Sequence, residues 1–142
     1  MSREWVPTND DSGLKKLIGK DVESIYLSKC RSYIKFELKD NDPICWVCYG
    51  NCCSDAWIEH ISEPAYGAVI GIDCVELGAV LPSKQQVDIL YGVRIKLSPN
   101  EYGYSDHVFI EFRSSSNGCY GAFITDTKIP DNVEFVKVTE GQ

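Results

Sequence analysis

Apolar and polar residues alternate along three segments of the chain, which predicts β-strands with one buried face. The longest segment covers residues 87–97, and shorter ones cover 33–39 and 107–112. Their apolar positions are Val87, Ile89, Tyr91, Val93, Ile95 and Leu97 in the first, Ile34, Phe36 and Leu38 in the second, and Val108, Ile110 and Phe112 in the third. The polar positions on the other side of the longest segment are Asp88, Arg94 and Lys96.

Five further segments carry weaker strand patterns. They are 22–27, 44–49, 67–80, 119–125 and 133–138. The segment 44–49 is apolar on both sides, which predicts a central strand that is covered on both faces. Glycines interrupt 67–80 and divide it into two short apolar runs. Turn-forming residues separate strands at 40–43 and at 114–118.

Two segments predict helices instead. A short helix is expected at 13–18, near the N-terminus. A second is expected at 55–61, because Ser54 can cap its first turn and Asp55 suits its positive end. Trp57 would then be buried and would anchor this helix on the sheet.

These elements predict an α+β fold. The expected architecture is a mostly antiparallel β-sheet or a partly open barrel, with one packed helix and the short N-terminal helix. The length of 142 residues matches one domain. We expect a single domain over 1–142 with its core at about 18–138 and a polar, loosely held start at 1–11.

The formal net charge of −7 narrows the possible partners. Nucleic acids and anionic membranes attract basic surfaces, so direct binding to either is not expected. The acidic surface either serves solubility or faces a basic partner. The chain shows neither a secretory signal nor an apolar stretch of about 20 residues, so a cytoplasmic location is expected.

The chain contains seven cysteines, an odd number, and no export signal, which predicts reduced thiols. Cys45 and Cys48 have the spacing of a zinc-binding pair. The period of a strand sends them to opposite faces, however, so no structural metal is expected. No cofactor motif is present either.

The densest polar cluster precedes the second predicted helix and consists of Asn51, Cys52, Cys53, Ser54 and Asp55. A helix N-terminus stabilises a thiolate, and a distant histidine, His107, begins a strand. This pairing resembles cell-wall amidases of the CHAP and NlpC/P60 type. The resemblance implies Cys52 or Cys53 as the nucleophile and His107 as the base. The alternative is packed, unreactive thiols, which we expect because His107 faces away from the core side.

The same helix start could instead bind an anion through the backbone amides after Cys53, with Arg113 in support. Ordinary helix capping is the interpretation that we expect for these residues.

Two longer stretches resemble an uncharacterised domain family of tailed phages and prophages. Residues 50–58 resemble its Gly-Asp-Cys-Cys-Ser-x-x-Trp motif, and residues 112–121 resemble its Arg-Asn-x-Ser-Asn-Gly-Tyr-Tyr-Gly-Gly motif. The resemblance covers about 18–138 and implies a phage origin without a known activity. Asn51, Ser114 and Cys119 depart from the family motifs.

The function expected from the sequence is that of a non-enzymatic phage or prophage accessory protein in the host cytoplasm. It would bind a host protein or sequester a small molecule, as in host takeover or counter-defence. The cysteine amidase and a small virion component remain alternatives, and a homo-oligomer remains open. The expected ligand or partner surface comprises Asn51, Cys52, Cys53, Ser54, Asp55, Arg113 and Asn117.

Overall fold

One antiparallel sheet of nine strands makes up most of the described chain. The computed structural model describes residues 13–50, 55–83, 86–99, 102–103, 106–116 and 122–141. The strands are β1 (Asp21–Ser28), β2 (Tyr33–Leu38), β3 (Asn41–Gly50), β4 (Asp55–Ile61), β5 (Gly67–Ser83), β6 (Gln86–Leu97), β7 (His107–Ser116), β8 (Ala122–Thr127) and β9 (Phe135–Lys137). A 3₁₀ turn at Leu14–Leu17 precedes them. In these residues no helix is long and apolar enough to cross a membrane.

The strand order is β4-β7-β6-β5-β1-β2-β3-β8, and β9 pairs with β1. The connection between β5 and β1 is narrow: Asp21 pairs with Ala68 and Val22 with Gly67, and two further backbone hydrogen bonds join Val69 to Gly19 and Lys20. This narrow seam divides the sheet into two halves, β4–β7 on one side and β1, β2, β3, β8 and β9 on the other. The described end strands β4 and β8 do not pair with each other, so the sheet is open rather than a closed barrel.

The two halves face each other across one hydrophobic core that draws residues from both. Trp46 on β3 is fully buried and meets the ring of Phe36 edge-on at 4.7 Å. In the other half Tyr91 stacks on Phe112 at 4.9 Å, and its hydroxyl accepts a hydrogen bond from the Ala122 amide of β8. The apolar faces predicted for the three alternating segments are confirmed where they are described.

The predicted helix at 55–61 is wrong, because this segment is the strand β4. Its burial has the spacing of a strand with one bulge: Ile58 and Ile61 are fully buried, and Glu59 and His60 are exposed. Pairing with β7 satisfies the backbone groups on one edge of the strand. The capping preference of Ser54 and Asp55 is a weak local effect by comparison, and tertiary pairing overrides it.

The other edge of β4 is covered by Arg31, in the turn between β1 and β2. The Ile58 amide donates to the Arg31 carbonyl oxygen at 2.7 Å. The Arg31 guanidinium donates in return to the carbonyl oxygens of Ile58 at 2.7 Å and Glu59 at 2.9 Å. Arg31 adopts a positive φ of 62° to reach this position. The turn thus protects an edge that would otherwise be open to pairing with another chain.

Several predicted boundaries also change. The turn expected at 114–118 begins later, since β7 continues to Ser116. The turn expected at 40–43 is tighter, because Asp40 takes a positive φ of 60° and Asn41 already begins β3. The apolar runs at 67–80 form one long strand, β5, in which bulges absorb the register shifts.

The N-terminal helix expected at 13–18 shrinks to one 3₁₀ turn. Leu14 and Leu17 are fully buried, while Ile18 is 39% exposed. A 3₁₀ turn repeats every three residues, so it buries Leu14 and Leu17 together and leaves the next position outside.

Candidate functional site

The outer face of the half-sheet β4–β7 is the side turned away from the core. Antiparallel pairing arranges its side chains in rows across the strands. The three central rows are Gly71–Lys96–His107, Asp73–Arg94–Phe109 and Val75–Gly92–Glu111. The outward direction predicted for Arg94 and Lys96 is therefore confirmed.

A groove of about 500 Å³ lies across these rows, and we call it the outer groove. Its lining consists of Asp73, Val75, Arg94, Lys96 and Phe109. Arg94 donates to the Asp73 carboxylate at 2.8 Å, and both side chains are 47% exposed. Because the two residues are direct cross-strand partners, strand register alone holds them side by side.

Two glycines shape the floor of the outer groove. A Cβ atom at Gly92 would lie 2.5 Å from the Phe109 ring, so that ring rests directly on the glycine backbone. At Gly71 a Cβ atom would lie 3.5 Å from Cδ of Lys96, whose aliphatic chain crosses above it. An aromatic ring that covers a glycine on a neighbouring strand is a known stabilising arrangement. Phe109 also lines the outer groove, so the ring that covers Gly92 is part of the groove surface.

The backbone of Phe109 is held on its other edge by Ser62. The Phe109 amide donates to Ser62 Oγ at 2.9 Å, and the Ser62 amide donates to the Phe109 carbonyl oxygen at 2.9 Å. The ring is therefore carried by a strand that is fixed on both sides.

The outer groove carries positive charge in an acidic protein. Lys96 forms no ion pair with any described residue, and the exposed His107 stands opposite it on β7. Among the residues that line the groove, Arg94 is compensated by Asp73, so Lys96 supplies the net positive charge. Glu111 lies one row beyond Phe109 on the same face. A cation in a concave site raises the local concentration of anions.

Arg113 and Asp55, two of the residues expected at the site, lie on this same outer face. Trp57 pairs with Arg113, and Asp55 pairs with Ser115. Arg113 is four residues along β7 from Phe109, which corresponds to about 13 Å at the rise of a strand. Asp55 pairs with Ser115, which lies further still along the same strand. The structure therefore places these two predicted residues together, but outside the groove.

Arg113 forms an ion-pair cluster of its own. Its Nε donates to Oδ2 of Asp88 at 2.6 Å, and Glu59 lies 3.7 Å from another guanidinium nitrogen. Asp88 is only 3% exposed, and its Oδ1 is buried without a hydrogen-bond partner. Arg113 is thus engaged by two carboxylates. The helix start that would have joined it in binding an anion is replaced by β4.

Asn51, Cys52, Cys53, Ser54 and Asn117 lie outside the described residues. The residues that flank them are paired, Gly50 with Ala122 and Asp55 with Ser115. These two pairs belong to β3–β8 and β4–β7, which lie at opposite ends of the strand order.

His107 is exposed on the outer face, as its strand register predicts. The core side of the same strand holds Val108, Ile110 and Phe112, each at most 1% exposed. The nucleophile position of an amidase depends on a helix N-terminus, and the chain from Asp55 onward is a strand.

The described cysteines Cys30, Cys45, Cys48 and Cys74 are free thiols. Cys48 belongs to the core, while Cys45 lies on the other side of β3, as the strand period predicts. Burial raises the pKa of Cys48 to about 12 and that of Cys45 to about 11. Both thiols are therefore protonated at neutral pH and are poor nucleophiles and metal ligands. The described residues contain no cluster suited to a metal ion.

No protein-family model, curated protein or solved structure matches this chain. The phage-associated family and the amidase family therefore stay resemblances predicted from short motifs.

The sequence patterns did not single out the outer groove. One feature does point to it: Gly92 interrupts the clearest strand, and a glycine inside a strand often marks the close approach of another group. The partner of that glycine, Phe109, depends on strand pairing and cannot be found from periodicity alone.

Proposed function

We propose that this protein is a non-enzymatic binding protein that sequesters a small organic anion in the outer groove. The observation that carries the proposal is the combination of a lysine without an ion-pair partner among the described residues, an arginine–carboxylate pair and an aromatic ring in one concavity. Its volume falls within the range of about 300–1,000 Å³ that small-molecule sites occupy. Of the two binding functions suggested by the sequence, this favours a small ligand over a host protein.

The proposed biological setting comes from the two motifs. A phage or prophage accessory protein in the host cytoplasm would act by lowering the free concentration of a host metabolite or signalling molecule. Sequestration needs only affinity and abundance, and a small, acidic and soluble chain suits that task.

A fluorescent probe that combines an aromatic system with an anion tests the proposal. We expect 8-anilinonaphthalene-1-sulfonate to bind with a stoichiometry of one and to gain fluorescence on binding. Lys96→Ala should weaken this binding at least tenfold, because it removes the uncompensated cation. Lys29→Ala is the matched control, since it removes a lysine that is paired with Glu134 at 3.1 Å away from the groove. Equal affinities for the Lys96 and Lys29 variants would contradict the proposal.

A further inference from the structure

The outer groove presents three different surfaces in a fixed order. Val75 and the Phe109 ring are apolar, the Asp73–Arg94 ion pair offers both an acceptor and a donor, and Lys96 is cationic. Successive outward positions on a strand are about 6.6–6.8 Å apart. Phe109 shares the row of the Asp73–Arg94 pair, and Lys96 lies in the next row. A ligand that contacts all three therefore needs a ring over the first row and a negative group roughly one row away.

The Asp73–Arg94 pair offers an acceptor and a donor side by side. A carboxylate accepts hydrogen bonds only, and a guanidinium donates only, through five N–H groups. The bond to Asp73 at 2.8 Å occupies one of the two terminal nitrogens of Arg94. The pair is complementary to a heterocycle edge that has a donor next to an acceptor, and each nucleobase carries such an edge.

The Phe109 ring lines the outer groove and offers an aromatic surface on which a planar ring can stack. Base–aromatic stacking tolerates different bases, since each base has a π-face. Because Gly92 supports the ring from behind and Ser62 fixes its backbone, little conformational entropy is lost on binding.

Lys96, the third surface of the outer groove, suits a phosphate group. A lysine ammonium binds phosphate as a point charge, and the exposed His107 stands beside it in the same row. A phosphate held there lies one row from the Asp73–Arg94 pair, which leaves the intervening space for a sugar.

We infer that the ligand of the outer groove is a nucleoside monophosphate. Its base stacks on Phe109 with an edge on Asp73 and Arg94, and its phosphate lies against Lys96. This inference rests on the proposed function and names the ligand class for the same site. It concerns the free nucleotide and not a nucleic-acid strand, because the net charge of −7 repels a polyanion.

Calorimetric titration with AMP, GMP, CMP and UMP tests the inference. Adenosine, inorganic phosphate and a single-stranded oligonucleotide serve as comparison ligands. We expect at least one nucleotide to bind at least tenfold more tightly than adenosine and than phosphate, and the oligonucleotide to bind more weakly than that nucleotide.

Three variants separate the contacts. Lys96→Ala should reduce nucleotide affinity to that of the nucleoside. Phe109→Leu keeps apolar bulk over Gly92 and should weaken nucleotide and nucleoside alike, while leaving phosphate binding unchanged. Asp73→Asn should change the order of preference among the four bases. Lys29→Ala should behave as wild type in each titration.

The outcomes also distinguish this inference from the proposed function. Binding of the sulfonate probe that depends on Lys96, without binding of any nucleotide, overturns the nucleotide assignment and leaves sequestration of another anion standing. Failure of both the probe and the nucleotides overturns both. Oligonucleotide binding at least as tight as that of the best nucleotide overturns the free-nucleotide assignment.

Discussion

Trp46 and Trp57 lie on neighbouring segments of the chain but in different surroundings. Trp46 is fully buried between the two halves of the sheet and packs against Phe36. Trp57 is only partly buried, on the outer face beside Arg113, and its indole nitrogen donates to Glu59. The core anchor is thus Trp46, and the burial predicted for Trp57 is wrong because that prediction depended on a helix.

Alanine substitutions measure this difference. We expect Trp46→Ala to lower the free energy of unfolding by about 3–5 kcal/mol, as for other large core residues. Trp57→Ala should cost about 1 kcal/mol or less, because the site is open to solvent. Urea unfolding followed by circular dichroism gives both values. A larger loss for Trp57 than for Trp46 would reverse the assignment.

At the scale of the elements, strand β4 depends on the turn that covers its edge. Arg31 holds this edge through two guanidinium bonds and one backbone bond. The backbone bond survives truncation of the side chain, so the two guanidinium bonds can be tested separately.

Arg31→Ala should lower the free energy of unfolding by about 1–3 kcal/mol, since it leaves two carbonyl groups without their charged donor. Arg31→Lys should not restore the loss, because an ammonium lacks the planar fork that reaches both oxygens. Arg94→Ala is the control: its exposed ion pair contributes about 1 kcal/mol or less. Denaturant midpoints measure the stability of each variant, and sedimentation measures edge-to-edge association between chains. Equal stabilities for the Arg31 and Arg94 variants would contradict the role of Arg31 in holding the edge of β4.

Two strands, β6 and β4, show where prediction from sequence succeeds and where it fails. The segment 87–97 has clear alternation and folds as predicted, because burial of one face decides both strand and register. The segment 55–61 has two isoleucines whose spacing of three fits a helical turn as well as a bulged strand. The pattern alone does not separate the two, so the capping preference of Ser54 decides the prediction in favour of a helix. The outer groove was missed for a related reason: cross-strand neighbours such as Asp73 and Arg94 follow from topology, which one sequence does not reveal.

At the scale of the whole molecule, buried thiols couple stability to pH. Burial raises the pKa of Cys48 from 9.0 to about 12, so the folded protein keeps a proton that the unfolded chain loses above pH 9. The unfolded state therefore binds fewer protons in this range, and stability falls as pH rises from 9 toward 12.

We expect the free energy of unfolding to fall by up to about 1.4 kcal/mol per pH unit for each such thiol. Cys48→Ala should remove one proton from that dependence and flatten the profile above pH 9. Cys30→Ala removes an exposed thiol whose pKa is lowered, because its slight burial is outweighed by its hydrogen bonds with Ser28 and Ser32, so this variant should not flatten the profile. Urea unfolding at pH 8, 9, 10 and 10.5 provides the comparison, and parallel profiles for wild type and Cys48→Ala would refute the coupling.

The narrow seam between β5 and β1 has a consequence for synthesis on the ribosome. Strands β4 to β7 are contiguous in the chain and can pair as soon as they have emerged. The other half cannot complete its strand pairing until synthesis ends, because β3 pairs with β8 and β1 pairs with β9, and both partners come from the last part of the chain. Nascent chains thus carry one half whose strands are already paired with one another beside a half that still has unpaired edges. Chaperones that bind exposed strand edges should engage the N-terminal strands until translation is complete.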